Sequence, residues 1–229
     1  VGPTVSGLGR CIKNVRTGGR SGSAVVERAL GGDDYDTVRE GWGVVHRNNQ
    51  MLGDLVLDML SLAREAKIHL FPTDVNDLAD QVCQLMTDRA ADRGVEVTFT
   101  PADDLPEAMT DPTQFYRCLL NLVTNAVDAC DEGCAVRVRI GRSDGRGRFT
   151  TSITDNGSGI PRDLRAKMFT EFFTTKGSQG TGLGLPVTRK LITTMGGTIT
   201  FHSVEGRGTR FVFALPLPEA ATAEKEMGS

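Results

Sequence analysis

The sequence predicts an α+β fold class, with an N-terminal hairpin of two helices followed by an α/β sandwich. Two observations lead to this class. Apolar residues recur at alternating spacings of three and four through the first 67 residues, as they do in helices that pack along a shared seam. Later in the chain, helical patterns alternate with short segments rich in β-branched residues, which is typical of a sheet covered by helices. A length of 229 residues suits two domains rather than one.

Residues 1–67 are predicted to form two helices joined by the turn Gly31-Gly32-Asp33-Asp34. A single hairpin cannot bury an apolar stripe on each helix, so we expect a homodimeric four-helix bundle with Trp42 in its core. Five glycines between Gly7 and Gly22 are expected to weaken the first helix by about 1 kcal/mol each relative to alanine. The stripes consist of Val5, Leu8, Ile12, Val15, Gly19, Gly22, Val26 and Ala29, and of Trp42, Val45, Asn49, Leu52, Val56, Met59, Ala63 and Ala66.

The rest of the chain divides into a linker, a second domain and a tail. Pro72 ends the second helix and marks a linker at 68–75. The domain at 76–217 is predicted to hold a helix at 76–93 and a mixed sheet with helices on one face. Residues 218–229 lack periodicity and are predicted to form a disordered tail. The strands are predicted near residues 95–100, 136–142, 149–154, 198–203 and 210–215.

Composition argues against several classes of partner and site. A net charge of −3 and a pI near 5.7 disfavour a nucleic acid or an anionic membrane as partner. The five cysteines show no zinc-ligand spacing, since Cys130 and Cys134 lack a second ligand pair, and such thiols suit a reducing cytoplasm. No apolar run is long enough to span a membrane. Because the chain begins at Val1 without a methionine, we expect it to belong to a longer protein with a further sensor or membrane region.

Three polar and glycine-rich clusters, at 121–126, 155–160 and 180–185, together predict a nucleotide pocket. Asp155 can accept a hydrogen bond from the exocyclic amine of adenine, and Gly157 and Gly159 allow the backbone to approach the base. Guanine presents an acceptor there instead. An unpaired buried polar group costs about 1–3 kcal/mol, so the pocket is expected to prefer ATP to GTP.

The other two clusters are expected to contact the phosphates. The cluster at 180–185 precedes a predicted helix at 183–195, whose free N–H groups and positive dipole end suit phosphate. Asn121 and Asn125 are four residues apart on another predicted helix and therefore share a face. Their amide oxygens are reasonable ligands for Mg²⁺ beside a triphosphate.

These motifs resemble the transmitter core of bacterial two-component sensor histidine kinases, whose GHKL-type ATP-binding domain is shared with gyrase, Hsp90-type chaperones and MutL. The resemblance runs from about residue 68 to 217 through five sequence boxes. The boxes are LLNLVTNAVDA at 119–129, DNGSGIP at 155–161, MFTEFFTTK at 168–176, GTGLGL at 180–185 and EGRGTRFVFALP at 205–216.

The resemblance implies a role for each part of the pocket. Asp155 is implied as the adenine reader, and Asn125, with Asn121, as a contact of Mg²⁺ and phosphate. Lys176 is implied as a γ-phosphate contact within a mobile lid at 169–179, which Gly177 and Gly180 flank at its polar end. The full implied set of ATP-binding residues is Asn121, Asn125, Asp128, Asp155, Gly157, Gly159, Ile160, Phe172, Thr175, Lys176, Gly180, Thr181, Gly182, Leu183, Gly184, Leu185 and Thr209.

Two positions bear on the expected activity. ATP-hydrolysing members of the wider group carry a glutamate general base where this chain has Asn121, so slow hydrolysis is expected. Arg10, before Cys11 and Ile12, occupies the place of the family's phosphoacceptor histidine. His46 is the alternative acceptor, although a simple bundle-flank histidine is the favoured interpretation.

Three hypotheses follow. The chain is an active kinase with an unusual acceptor or a partner phosphorylated in trans, or a degenerate, nonenzymatic ATP-binding module. An ATP-hydrolysing chaperone-like machine is disfavoured by Asn121 and by the hairpin. The family further implies homodimerisation through 1–67 and a response-regulator receiver domain or a partner kinase as the binding partner.

Overall fold

The computed structural model describes residues 2–32, 34–63, 67–143, 147–177 and 180–218; the side chains at 2–6 and 10 lie outside this description. Contacts divide the chain into two compact units. The first comprises residues 1–65 and 166–187, and the second comprises 66–165 and 188–229. The predicted domain boundaries stay a prediction, but this division groups the predicted lid with the helical hairpin. The predicted tail lies outside the described residues beyond Pro218.

In the first unit, α1 (Gly2–Leu30) and α2 (Tyr35–Ala63) form the predicted hairpin. The side chain of Asp34 caps α2, because its Oδ1 accepts the Thr37 N–H at 3.1 Å. α1 continues through its glycines without a break. One of them, Gly22, has a packing role together with Gly41 of α2, because a Cβ on Gly22 would lie 3.0 Å from the Gly41 carbonyl oxygen, and one on Gly41 would lie 2.9 Å from Val26 Cγ2. Glycine therefore lets the two helices approach closely at this level.

The predicted apolar stripes are only partly buried by the hairpin. Val15 and Ala29 are buried as expected, whereas Trp42 is 61% exposed in the single chain, so its expected place in the core of a dimeric bundle stays a prediction. Leu52 and Val56 are also exposed. The physical reason is geometric: one hairpin can bury only the face that each helix turns to the other.

The second unit contains the predicted mixed sheet. Its five strands have the order β2-β4-β5-β7-β6, and β2 runs parallel to β4 while the other neighbours are antiparallel. The strands are β2 (Glu96–Thr100), β4 (Ala135–Ser143), β5 (Arg148–Asp155), β6 (Thr198–Val204) and β7 (Gly208–Pro216). All five predicted strands are confirmed, with ends shifted by one or two residues.

Two short strands were not predicted. β1 (Phe71–Thr73), which lies within the predicted linker, pairs with β3 (Ala108–Thr110) in a separate antiparallel sheet. Three residues are too few for an alternating pattern, and Pro72 in β1 argues against a strand except at a sheet edge.

Three helices complete the fold, namely α3 (Val75–Ala91), α4 (Pro112–Asp128) and α5 (Gly184–Thr194), besides a 3₁₀ turn at Arg165–Lys167. α3 and α4 pack on the sheet. Phe115 of α4 makes ring contacts with Phe149 and Phe213 at centroid distances of 6.1 and 5.8 Å. This aromatic centre fixes α4 over the sheet and so positions its asparagines. In the part of the chain described, no helix is long and apolar enough to cross a membrane.

Candidate nucleotide site

Asp155 ends β5 with its carboxylate held in a fixed orientation. Its Oδ1 accepts the backbone N–H groups of Gly157 at 3.0 Å and Thr209 at 3.1 Å. The residue is only 6% exposed, and burial raises the pKa of this carboxyl although the two hydrogen bonds act in the opposite direction. Among the described residues, both of these backbone N–H groups donate to Oδ1 and neither donates to Oδ2. The second oxygen is therefore available to a donor from outside the protein.

The glycines around Asp155 have a structural reason that the sequence interpretation missed. A Cβ on Gly157 would collide with the carbonyl oxygen of Ala129, and one on Gly159, at φ +65°, with that of Val204. Gly208, at φ +107°, likewise lies against the Asp155 carbonyl. These glycines are thus required by the approach of one backbone segment to another, whereas the sequence interpretation assigned Gly157 and Gly159 to the approach of the base.

A second set of hydrogen bonds fixes the loop after Gly159. The Ile160 N–H donates to Ser203 Oγ at 2.8 Å, and Ser203 Oγ lies 2.9 Å from Thr209 Oγ1. Asn156 Oδ1 accepts the Ala135 N–H at 2.7 Å. Ser203 and Asn156 were not among the predicted residues. The available signal was Ser203 itself, a polar residue at a core-facing position of β6.

The two predicted asparagines do share one face of α4. Asn125 Nδ2 donates to Asn121 Oδ1 at 3.3 Å, and Asn121 Nδ2 donates to Thr188 Oγ1 at 2.8 Å. Two amide oxygens one turn apart are of the kind that Mg²⁺ accepts, so these residues fit the ion. Within the described ranges, no group of three His, Cys, Asp or Glu could hold a metal. Thr188, which is buried, is a further site residue that the sequence did not reveal.

Asp128, also predicted to bind ATP, has partners within the protein. Its Oδ1 lies 3.1 Å from Arg93 Nη1 and 3.9 Å from Arg89 Nη2. These ion pairs join the end of α4 to the end of α3. A role of Asp128 towards the nucleotide stays a prediction.

The described residues of the predicted lid, 169–177, belong to the first unit, which also includes 180–187. The Phe172 N–H donates to the Gly182 carbonyl at 2.9 Å, and both residues have positive φ, at 60° and 67°. Lys176 and Thr175 are exposed, and the Lys176 N–H donates to Thr174 Oγ1 at 3.1 Å. Gly180 lies against that same threonine.

Further along the segment, the Leu183 N–H donates to Thr181 Oγ1 at 3.3 Å, and α5 begins at Gly184, followed by Leu185. A helix over this segment is confirmed, although it starts one residue later than predicted.

The lid segment packs on the hairpin. Leu183 is buried with Cys11 and Leu55, and Phe172 lies against this cluster together with Met59 and Leu62. Within the first unit, Phe172 contacts residues of α1 and α2, because the glycine at position 7 leaves room for its ring.

The candidate acceptors lie on the hairpin. Position 10 is within α1, but the Arg10 side chain lies outside the description. His46 is exposed on α2, and Cys11 is buried, which raises the pKa of its thiol. The imidazole at position 46 is therefore accessible.

Comparison with known proteins agrees with this site. The family model of the histidine kinase-, DNA gyrase B-, and HSP90-like ATPase matches residues 110–219. The sensor histidine kinase ZraS of Escherichia coli O157:H7 is 36% identical over 191 residues, which are 83% of this chain and 40% of ZraS.

Two solved structures are similar to the chain. The crystal structure of full-length ShkA in complex with AMPPNP has a TM-score of 0.68 at 31% identity, and covers 80% of this chain and 39% of ShkA. The catalytic domain of histidine kinase ThkA has a TM-score of 0.56 at 31% identity, over 66% of this chain and 97% of that domain.

The five-stranded sheet, the held carboxylate and the paired asparagines define an ATP-binding domain of the class shared by histidine kinases, gyrase and Hsp90. Within that class, the chain belongs to the sensor histidine kinases of two-component systems. It spans about 40% of the length of the ZraS proteins it matches.

Proposed function

We propose that this chain binds Mg·ATP and transfers the γ-phosphoryl group to a protein acceptor, which in the family is a histidine and then a response-regulator aspartate. The observation that carries the proposal is the geometry of Asp155. Two backbone N–H groups occupy its Oδ1, so Oδ2 remains for the exocyclic amine of adenine. Guanine would place an acceptor against this carboxylate, and two facing acceptors repel.

The remaining roles are proposed on the family boxes and on local geometry. Asn125, with Asn121, would hold Mg²⁺. When bound, this ion would neutralise the negative charge of the phosphates. Lys176 would contact the γ-phosphate. The other proposed nucleotide contacts are Asp128, Gly157, Gly159, Ile160, Phe172, Thr175, Gly180, Thr181, Gly182, Leu183, Gly184, Leu185 and Thr209.

Phosphoryl transfer in such a site depends on positioning and electrostatics. The bond between the γ-phosphorus and the ADP oxygen breaks while a bond to the acceptor forms. Asn121 donates to Thr188 and cannot remove a proton from water, since an amide is not a base at neutral pH. ATP is therefore kept for a protein acceptor rather than hydrolysed.

A second candidate function is favoured by Arg10 in place of the acceptor histidine. In that case the chain is a nonenzymatic ATP-binding module that acts through a partner kinase or a response regulator. Under both functions we propose a homodimer through 1–67, which is supported by the exposed apolar residues Trp42, Leu52 and Val56. We also propose a cytoplasmic location, which ATP supply requires.

Incubation with γ-labelled ATP and Mg²⁺ tests the proposal. The chain is incubated alone and with receiver domains, and the labelled protein is then treated with acid or base to identify the type of phosphoryl bond. Acid-labile, base-stable label that disappears in a His46→Ala variant supports transfer to an unusual histidine. Label on a receiver domain or partner kinase alone supports transfer in trans. If the chain binds ATP tightly but no protein becomes labelled, the result supports the nonenzymatic module. If the chain does not bind ATP, both functions are contradicted.

A further inference from the structure

Two cysteines lie at the two ends of the loop that connects α4 to β4. Cys130 follows α4 and is 1% exposed, and Cys134 is partly exposed and immediately precedes β4. Both are free thiols. The loop folds back on itself, because the Cys134 N–H donates to the Asp131 carbonyl at 3.1 Å. This turn places the two cysteines at its two ends, and burial followed by interaction with the Cys134 side chain raises the pKa of the Cys130 thiol.

The loop is held at two points, because the Gly133 N–H donates to the Gly94 carbonyl at 2.9 Å and the Glu96 N–H donates to the Cys134 carbonyl at 3.0 Å, whereas free space lies beside Gly133. Gly133 has a φ of +83°, and nothing lies within 4 Å of the position that a Cβ would occupy there. Glu132, next to it, is exposed. A disulfide requires a sulfur separation of about 2.05 Å, and a five-residue turn containing glycine can accommodate the approach that this requires.

Both ends of this loop contact the segment that carries Asp155. On the α4 side, the Ala129 carbonyl accepts the Ser158 N–H at 3.0 Å and lies against Gly157. On the β4 side, the Ala135 N–H donates to Asn156 Oδ1 at 2.7 Å. Cys130 is also close enough to Asp155 for the two groups to interact electrostatically. A change in the loop therefore reaches the proposed adenine-binding carboxylate through two direct contacts.

We propose that Cys130 and Cys134 form a reversible disulfide that weakens ATP binding, so that this loop makes nucleotide affinity sensitive to peroxide. The inference rests on the proposed function of Asp155. Shortening the sulfur separation displaces Ala129 or Ala135, each of which holds the Asp155 segment. Loss of one such hydrogen bond corresponds to about fivefold weaker binding.

The oxidant is a hydroperoxide, and the partly exposed Cys134 reacts first. The peroxide O–O bond breaks as an S–O bond forms, which gives a sulfenic acid and one water. The Cys130 thiol then attacks this sulfur, the S–S bond forms, the S–O bond breaks and a second water leaves. Two thiols lose two electrons and two protons, and one hydrogen peroxide becomes two waters. Burial raises the pKa of the Cys130 thiol to about 12, which keeps it protonated and disfavours it as the first thiol to react.

The test is calorimetry of Mg·ATP binding to the full chain in the reduced state, after hydrogen peroxide treatment, and after subsequent reduction with dithiothreitol. Peptide mass spectrometry on each sample locates the cross-link. We expect a Cys130–Cys134 disulfide, an ATP affinity about fivefold lower, and full recovery on reduction. The Cys134→Ser variant should bind ATP as the reduced protein does and should not respond to peroxide. The Cys83→Ala variant, altered on α3, should respond as the unmodified chain does.

The outcomes separate this inference from the proposed function. A reduced chain that fails to bind ATP contradicts the proposed function. A reduced chain that binds ATP, but forms no disulfide between these two cysteines, overturns the inference. The inference is equally overturned if the disulfide forms without changing ATP affinity. Because mass spectrometry is performed on the unmodified chain, the answer does not depend on whether a variant folds.

Discussion

At the residue scale, Asp155 combines its proposed role in ATP binding with an unfavourable contribution to the free energy of folding. Burial raises its pKa, because desolvation disfavours the charged carboxylate in the folded protein. Such perturbed carboxylates are common at functional sites. Its Oδ1 bonds to Gly157 and Thr209 partly offset this cost. A substitution at such a residue can therefore weaken ligand binding without lowering the stability of the fold.

The Asp155→Asn substitution tests that separation. An amide removes the buried charge but presents a donor to the adenine amine, so ATP affinity should fall by about five- to 150-fold, which corresponds to 1–3 kcal/mol. The melting temperature at pH 7 should stay equal or rise. Calorimetric titration and thermal unfolding measure the two quantities. A variant that binds ATP as well as the original chain would contradict the role of this carboxylate.

The raised pKa of Asp155 also predicts a pH dependence. The protonated carboxyl loses acceptor capacity, so ATP affinity should decline with falling pH at a higher pH than an ordinary aspartate would give. For stability the sign is opposite, because protonation of a group with a raised pKa favours folding. That contribution is present at low pH and is lost as pH rises through the folded-state pKa. Binding isotherms across pH measure the first effect, and Asp155→Asn should lack that transition.

The sequence predicted Asp155, Gly157 and Thr209 as site residues, and the structure brings these three together. It did not predict Ser203 or Thr188, because a single serine or threonine in a strand or helix carries no motif. Their partners come from distant parts of the chain, as in the Asn121 to Thr188 bond that joins residues 67 positions apart. Such contacts depend on the tertiary fold and leave no local pattern.

At the element scale, the hairpin depends on where its glycines lie. The sequence interpretation treated those of α1 only as weak helix formers, whereas Gly22 and Gly41 allow the close approach of α1 to α2. Five strands were predictable because alternation extends over several residues in each. β1 and β3 were not, because pairing rather than pattern defines a strand of three residues.

A pair of substitutions distinguishes the two kinds of glycine. Gly22→Ala places a Cβ 2.9 Å from Val45 Cγ2, so it should destabilise the chain by about 1–3 kcal/mol through overpacking. Gly53→Ala in α2 is the matched control, since nothing lies within 4 Å of the position its Cβ would take. It should be neutral or stabilise by up to about 1 kcal/mol. Urea unfolding gives both values, and equal effects at the two sites would refute the packing role.

At the scale of the whole molecule, the nucleotide boxes resemble those of the family, whereas Arg10 occupies the place of the phosphoacceptor histidine and Cys11 that of its usual acidic or polar neighbour. Replacement Arg10→His should therefore restore autophosphorylation, seen as acid-labile label from γ-labelled ATP. The double variant Arg10→His, Asp155→Asn is the control and should stay unlabelled. An unlabelled single variant that still binds ATP would show that the defect extends beyond the missing imidazole.

Asp155 is proposed to make this chain an adenine-specific nucleotide binder. Calorimetric titration of the reduced chain with ATP and, separately, with GTP in the presence of Mg²⁺ tests it most directly. We predict saturable heat with ATP and at least tenfold weaker binding of GTP, about the 1.4 kcal/mol expected for one mismatched buried polar contact. No heat with millimolar ATP, or equal affinity for the two nucleotides, would contradict the account.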